Sequence, residues 1–148
     1  MAKSSLEKYI NRNIHSEKGQ QAHPEVTGSV LGMISDKNFG GHDFVVTWWP
    51  ISQPFEMVKE THFHDFDQYL MFMGGDLSNM LDLGGEVELT LGEQGGKLEK
   101  FVFTTATIVY VHAGLMHGPL NFKKVNNPLK PMLYNDITFT TANYKRLK

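Results

Sequence analysis

The chain has 148 residues, of which 41% are hydrophobic and 20% charged, and it contains no cysteine. This size and composition fit one globular domain with its own core. The formal net charge of −2 comes without any basic stripe, which argues against nucleic acid as a partner. Without cysteine there are no disulfides, thiolate metal sites or cysteine nucleophiles. We find no secretory signal and no apolar run of roughly 18 residues, so we expect a cytoplasmic protein with no membrane partner.

The N-terminal region predicts a short helix followed by a polar connector. Ser4 starts a capping-box pattern, and Leu6, Tyr9 and Ile10 recur at helical spacing, which predicts one apolar face. The polar residues 15–24 are interpreted as the connector.

From there onward the sequence consists of short β-like runs separated by turn residues. The run Glu86–Leu91 alternates strictly, which predicts a strand that buries every second side chain. Many short strands with almost no helix predict an all-β sandwich or barrel. We therefore divide the chain into residues 1–24, helix and connector, and residues 25–148, a β-barrel domain. The other predicted strands are Ser29–Ile34, Phe44–Trp49, Phe55–Lys59, Gln68–Met73, Lys97–Phe103, Thr107–Val111, His117–Phe122 and Met132–Phe139.

The most informative pattern is His62-Phe63-His64, because side chains two apart lie on the same face of a strand. Gln68 shares this parity, so a regular strand would point all three side chains inward. His117 lies in a separate strand-turn segment. If the two segments pair, three imidazoles and one amide oxygen converge, which is a metal site with nitrogen and oxygen ligands.

The first of these segments resembles a motif of the cupin superfamily. That motif runs Gly, five residues, His-x-His, three or four residues, Glu, six residues, Gly. His62, His64 and Gly75 match it in register. Gln68 takes the place of the usual Glu, and Glu56 takes the place of the first Gly.

The second segment resembles the other cupin motif, which runs Gly, five residues, Pro-x-Gly, two residues, His, three residues, Asn. Gly114, His117 and Asn121 match, while His112 replaces the Pro and Ala106 the first Gly. The resemblance spans residues 44–139 and implies a cupin-type jelly-roll β-barrel, here with a short N-terminal helix. It implies that one divalent ion (Fe, Mn, Ni, Co or Zn) is held by four residues, referred to as the ligand quartet: His62, His64, Gln68 and His117.

Gln68 changes the charge at such a site, because three neutral imidazoles and an amide leave a divalent ion its full +2 charge. A centre of this charge attracts anions and polarises carbonyl or carboxylate oxygens. Gln68 cannot act as a general base. In ligand type the quartet is similar to that of the small cupins that open unsaturated uronate rings. The alternative is that Gln68 only preserves the shape of a site that has lost its activity.

These features predict a non-redox enzyme (lyase, isomerase or ring-opening) that acts on a small, anionic substrate bearing a carboxylate or carbonyl group. His112 and Tyr134 are the candidates for the catalytic acid or base. An Fe(II)-dependent dioxygenase and a non-catalytic module that binds small molecules are the alternatives. Small cupins are commonly dimers, so a homodimer is expected through exposed sheet edges.

Overall fold

The computed structural model describes residues 4–142 and residue 147, which form one 3-10 helix, one α-helix and nine strands. The 3-10 helix spans Ser5–Tyr9, and the α-helix, α1, spans Glu17–Ala22. The strands β1 to β9 are, in chain order, Leu31–Ser35, Phe44–Ile51, Phe55–Val58, Gln68–Met73, Asp82–Gly92, Glu99–Thr105, Thr107–Val111, Met116–Val125 and Met132–Thr138.

The strands form two antiparallel sheets that pack face to face. The five-stranded sheet has the order β1-β2-β9-β4-β7, and the four-stranded sheet has the order β3-β8-β5-β6. Neighbours in each sheet are mostly distant in sequence, as in a jelly roll. The predicted all-β jelly roll is confirmed, as two facing sheets rather than one fully closed barrel.

Period-two alternation in the strands builds the core. In β5 the side chains of Val87 and Leu89 are buried while their neighbours in the strand are more exposed, as the alternation predicts, and Leu91, the third apolar residue of the pattern, is half-buried. Phe72 of β4 stacks on Tyr134 of β9 with ring centroids 5.0 Å apart. This apolar interior surrounds the site described below.

The N-terminal region differs from the prediction. Ser4 does cap a helix, but it is a single 3-10 turn whose predicted apolar residues Leu6, Tyr9 and Ile10 are largely exposed. The segment interpreted as a connector contains α1, because the Ser16 side chain accepts a hydrogen bond from the Gly19 amide and starts the helix.

Strand β2 continues through Pro50, which the sequence predicts as its end. β1 pairs with β2 only as far as Leu31 opposite Trp48, so Pro50 lies where β2 has β9 alone as its neighbour. A missing N–H is tolerated at such a position. No helix in the described part of the chain is long and apolar enough to cross a bilayer.

Strands β6 and β7 are the outer strands at one side of the two sheets. Among the described residues each has one strand neighbour, and each exposes apolar side chains, including Val102 and Ile108. An edge of this kind suits sheet extension. The homodimer stays a prediction.

Candidate metal centre

Backbone hydrogen bonds join the two histidine segments. The His62 amide donates to the His117 carbonyl oxygen (3.0 Å), and the His117 amide donates to the His62 carbonyl oxygen (2.8 Å). The Gly114 amide donates to the His64 carbonyl oxygen (2.8 Å). The two segments are 55 residues apart in sequence, yet they are paired through the main chain, residue against residue.

A second bridge holds the other side of the first segment. Phe63 and Leu147 exchange two backbone hydrogen bonds, with N···O distances of 2.9 and 2.8 Å. Residues 62 and 63 are therefore fixed by two different partners, and the imidazoles on either side of Phe63 are held in orientation by the backbone.

The prediction that residues 62–68 form one regular strand is wrong. His62 pairs with β8 of the four-stranded sheet, whereas Gln68 begins β4 of the five-stranded sheet. The chain bends at residues 65–66 because it passes from one sheet to the other. All three side chains are nevertheless buried, as predicted: His62, His64 and Gln68 are 1%, 2% and 2% exposed.

Gly118 permits the close approach of the two segments. Its φ is +94°, and a Cβ at this position would lie 2.5 Å from the Glu60 carbonyl oxygen. The Thr61 hydroxyl donates to the Gly118 carbonyl oxygen at 2.8 Å. Only glycine fits both the left-handed backbone and the adjacent main chain.

The three imidazoles form one compact, buried group. Their ring centroids are 4.3–5.1 Å apart, and one ligand atom from each lies within 4.8 Å of the others. Nδ1 of His62 lies 3.0 Å from the Glu60 carbonyl oxygen, and Nδ1 of His117 lies 2.9 Å from that of Leu115. A carbonyl only accepts, so each Nδ1 donates and the neutral ring keeps its lone pair on Nε2. Such outer hydrogen bonds fix ligand histidines in metal sites.

The Gln68 amide is oriented by a carboxyl group. Its Nε2 donates to Oδ1 of Asp136 at 3.2 Å, and its Oε1 is buried with no hydrogen-bond partner among the described residues. Burial raises the pKa of Asp136 to about 7, although the hydrogen bond from Gln68 lowers it. A buried oxygen without a partner is costly unless a ligand or ion satisfies it, so this atom fits a metal ligand.

A cavity of about 400 Å³ opens beside the quartet and reaches His62, Gln68 and His117. Both sheets contribute apolar walls, and α1 with the residue that follows it covers one part. The His23 ring packs edge-on against Trp49, with centroids 5.6 Å apart, and the Trp49 indole donates to Thr47 Oγ1. The metal candidate therefore lies beside a largely apolar cavity.

The two predicted catalytic residues lie in different places. Tyr134 is 4% exposed and lines the cavity. His112 lies outside the lining, and its ring bonds the Ala113 carbonyl oxygen (2.7 Å) and the Glu93 carboxylate (3.1 Å). These two contacts raise the pKa of His112. Of the two residues, Tyr134 lies in the cavity lining and His112 does not.

Sequence reasoning missed Asp136 and the contribution of α1. The signal for Asp136 was present, because Met132, Tyr134, Asp136 and Thr138 share one parity in β9 and the other three are apolar or small. An aspartate on the inward face of a strand is unusual unless it is paired, so its presence indicates a binding or structural partner inside the fold. No comparable signal places α1 against the cavity.

No model of a known protein family and no curated protein sequence matches the chain. Solved structures do match. A deletion variant of Bacillus subtilis oxalate decarboxylase aligns with a TM-score of 0.55 and 9% identity, over 82% of this chain and 28% of that one. A second structure of that enzyme, from work on its Mn(II) centres, gives 0.53 and 9% over the same shares. A variant of that enzyme with four substituted residues gives a TM-score of 0.53 and 14% identity, again over 82% and 28%.

The chain therefore has the cupin fold, and it spans little more than a quarter of the length of the enzyme it matches. Within residues 4–142 and 147, the three histidines of the quartet are the group of titratable side chains that could hold a metal ion. Neutral imidazole nitrogens and an amide oxygen fit a divalent cation, with its identity left open.

We expect Gly118→Ala to disrupt both stability and metal binding. Its Cβ would meet backbone on the segment that leads to His62, so unfolding free energy should fall by more than about 3 kcal/mol. If the variant still folds, its affinity for Zn²⁺ should fall on the order of tenfold. Urea unfolding and chelator competition measure the two effects.

Gly84→Ala is the matched control, since Gly84 also has a positive φ (+65°) but a Cβ there would meet nothing within 4 Å. It should lose roughly 1–2 kcal/mol from backbone strain alone and keep its Zn²⁺ affinity. Equal behaviour of the two variants would contradict the role given to the close approach at Gly118.

Proposed function

We propose that this chain is a divalent-metal-binding cupin that catalyses a non-redox reaction on a small substrate bearing a carboxylate or carbonyl group. The reaction class is lyase, isomerase or ring-opening. The observation that carries the proposal is the cluster of three buried imidazoles beside a cavity that the Gln68 side chain also lines, with the Gln68 side-chain oxygen buried and without a hydrogen-bond partner among the described residues.

The ligand quartet supplies the donors for the ion, and the cavity supplies the place for a substrate. When bound, a divalent ion supplies positive charge that stabilises negative charge developing on a carboxylate or enolate oxygen. The apolar walls exclude water, which strengthens electrostatic interactions inside the cavity. The fold hosts many activities, so the proposal depends on this site rather than on the fold.

Proton transfer needs a group other than Gln68, since an amide neither gives nor takes a proton at neutral pH. The Tyr134 phenol is our first candidate because it lies in the cavity lining. His112 is the second candidate and would have to act from the rim, where Glu93 contacts it. The two candidates therefore differ in position, with Tyr134 inside the cavity and His112 at its rim, and variants of each can be compared.

We expect protein purified without chelator to contain about one equivalent of divalent metal, and the His64→Ala variant to lose it, because a buried nitrogen ligand is removed. Elemental analysis after dialysis measures this. His15→Ala is the control, since His15 is exposed and distant in sequence from the quartet, and it should keep the metal. A His64→Ala protein with full metal content would remove the ligand assignment.

We also expect the metal-loaded protein to accelerate exchange of the methyl protons of pyruvate in D₂O, without consumption of oxygen. Tyr134→Phe should slow this exchange on the order of tenfold or more, and His112→Ala should affect it less. Proton NMR and an oxygen electrode are the measurements. Oxygen uptake with the Fe(II)-loaded protein would favour a dioxygenase, and saturable binding without exchange would favour a non-catalytic binding module.

A further inference from the structure

The walls of the cavity are mostly hydrocarbon. Large apolar side chains from both sheets lie between its polar groups, which are His62, Gln68 and His117 of the quartet, Asp136, a few hydroxyls, and Lys18 and His23 at α1. The large apolar side chains are Trp49, Met57, Leu70, Leu89, Leu120 and Tyr134.

Resting on the proposed function, we propose that the substrate is a 2-oxo acid or similar carboxylate that carries an apolar substituent about the size of an aromatic ring. The acid end would lie at the quartet and the substituent against the leucines. A sugar acid has hydroxyls along its whole length, and each would lose its water against Leu70, Leu89 and Leu120 without a replacement partner. An apolar group gains from the same surfaces.

The size of the cavity agrees with this substrate class. An apolar cavity of roughly 150 Å³ is enough to bind benzene. The cavity here measures about 400 Å³. It therefore has room for a ring together with a short acid, whereas an acid of two or three carbons leaves most of the apolar wall uncovered.

The charge along the lining also agrees. Lys18 on α1 is the one lysine or arginine among the described residues that line the cavity, and Asp136 is the one carboxyl group. Asp136 is already engaged by the Gln68 amide. A single cationic side chain in the cavity lining suits a ligand with one acidic end rather than a dianion.

The test compares phenylpyruvate with pyruvate, which share the same acid end and differ by one phenyl ring. Co(II)-loaded protein is titrated with each compound while the visible absorption of the ion is recorded. We expect phenylpyruvate to bind at least about tenfold more tightly than pyruvate, and D-glucuronate to bind no better than pyruvate.

Two tryptophan variants on α1 place the effect in the cavity. Ala22 lines the cavity and is exposed, so Ala22→Trp should fold and narrow the apolar space. It should remove most of the advantage of phenylpyruvate over pyruvate, because the two compounds differ in the apolar group and share the acid end. Gln21→Trp is the matched control, because Gln21 is an exposed neighbour outside the lining, and it should leave both affinities unchanged.

Equal affinities for phenylpyruvate and pyruvate would overturn the inference while leaving the metal-dependent function intact. Loss of pyruvate binding in Ala22→Trp together with that of phenylpyruvate would also overturn it. If Co(II) binds but none of the acids changes its absorption spectrum, the result contradicts the proposed function itself, and with it the inference about the substrate.

A second inference rests on a separate observation, the hydrogen bond between Gln68 and Asp136. We infer that Asp136 is a positioning residue that presents the Gln68 oxygen as a metal ligand. Leu70 and Asp136 are paired between β4 and β9, which puts the carboxyl group beside Gln68 on the same sheet face. Its acceptor oxygen takes the amide Nε2, so Oε1 is the atom left for an ion.

The physical problem that Asp136 solves is the two-fold ambiguity of an amide. A glutamine can offer an NH₂ group as readily as an oxygen, and an NH₂ group facing a cation repels it. Glutamate has two equivalent oxygens and needs no such partner. The inference therefore links the Gln in the motif to a carboxyl group on another strand.

The test measures Zn²⁺ affinity by chelator competition and stability by urea unfolding in four variants. Asp136→Ala should lower affinity about tenfold to a hundredfold, and Asp136→Asn, which keeps an acceptor oxygen, should stay close to the parent protein. In the Gln68→Glu background, removal of the Asp136 side chain should leave affinity unchanged or raise it, because two carboxyl groups no longer compete.

That reversal distinguishes positioning from a general structural role. A structural role would lower affinity and unfolding free energy together in both backgrounds. The inference is overturned if Asp136→Asn binds Zn²⁺ as weakly as Asp136→Ala, or if Asp136→Ala loses the same factor in the Gln68→Glu background.

Discussion

The two-way backbone pairing of His62 with His117 is the constraint on which the site depends. The amide of each residue donates a hydrogen bond to the carbonyl oxygen of the other. The distance between the two Cα atoms that carry the imidazoles is therefore fixed. The carbonyl oxygens of Glu60 and Leu115 then fix the rotation of the rings. No side-chain partner could achieve the same precision, because side chains have rotamer freedom that a paired backbone lacks.

Burying the polar side chains of the quartet and of Asp136 in an apolar core costs free energy, and this cost points to a use for them. Polar groups in the interior are retained when they are satisfied or when function uses them. Here the buried Gln68 side-chain oxygen has no hydrogen-bond partner among the described residues, and the carboxyl group of Asp136, which accepts from the same amide, has its pKa raised to about 7. Sequence reasoning counted only the ligands and assigned the ion an uncompensated +2 charge. The structure shows that the carboxyl group of Asp136 must also be counted, because it accepts a hydrogen bond from Gln68.

Sequence periodicity was sufficient to predict the strands whose structure depends on local backbone geometry. The strict alternation in β5 and the strands Gln68–Met73 and Thr107–Val111 are consequences of one repeating backbone geometry. It was insufficient where two distant segments decide the outcome. The bend at residues 65–66 exists because the chain changes sheets, and Pro50 is tolerated because β1, which begins opposite Trp48, does not extend beside it. The cap at Ser16 was readable from the sequence, but the place of α1 against the cavity was not.

The bridge between Phe63 and Leu147 has a practical consequence for handling this protein. Phe63 stands between two of the histidines, and its amide and carbonyl are both satisfied by a residue 84 positions later. A shortened version that stopped before that residue would leave two main-chain groups to water and loosen the loop under the imidazoles. Removal of Leu147 for crystallisation or tagging is therefore a change to the site, even though the Leu147 side chain is not a metal ligand.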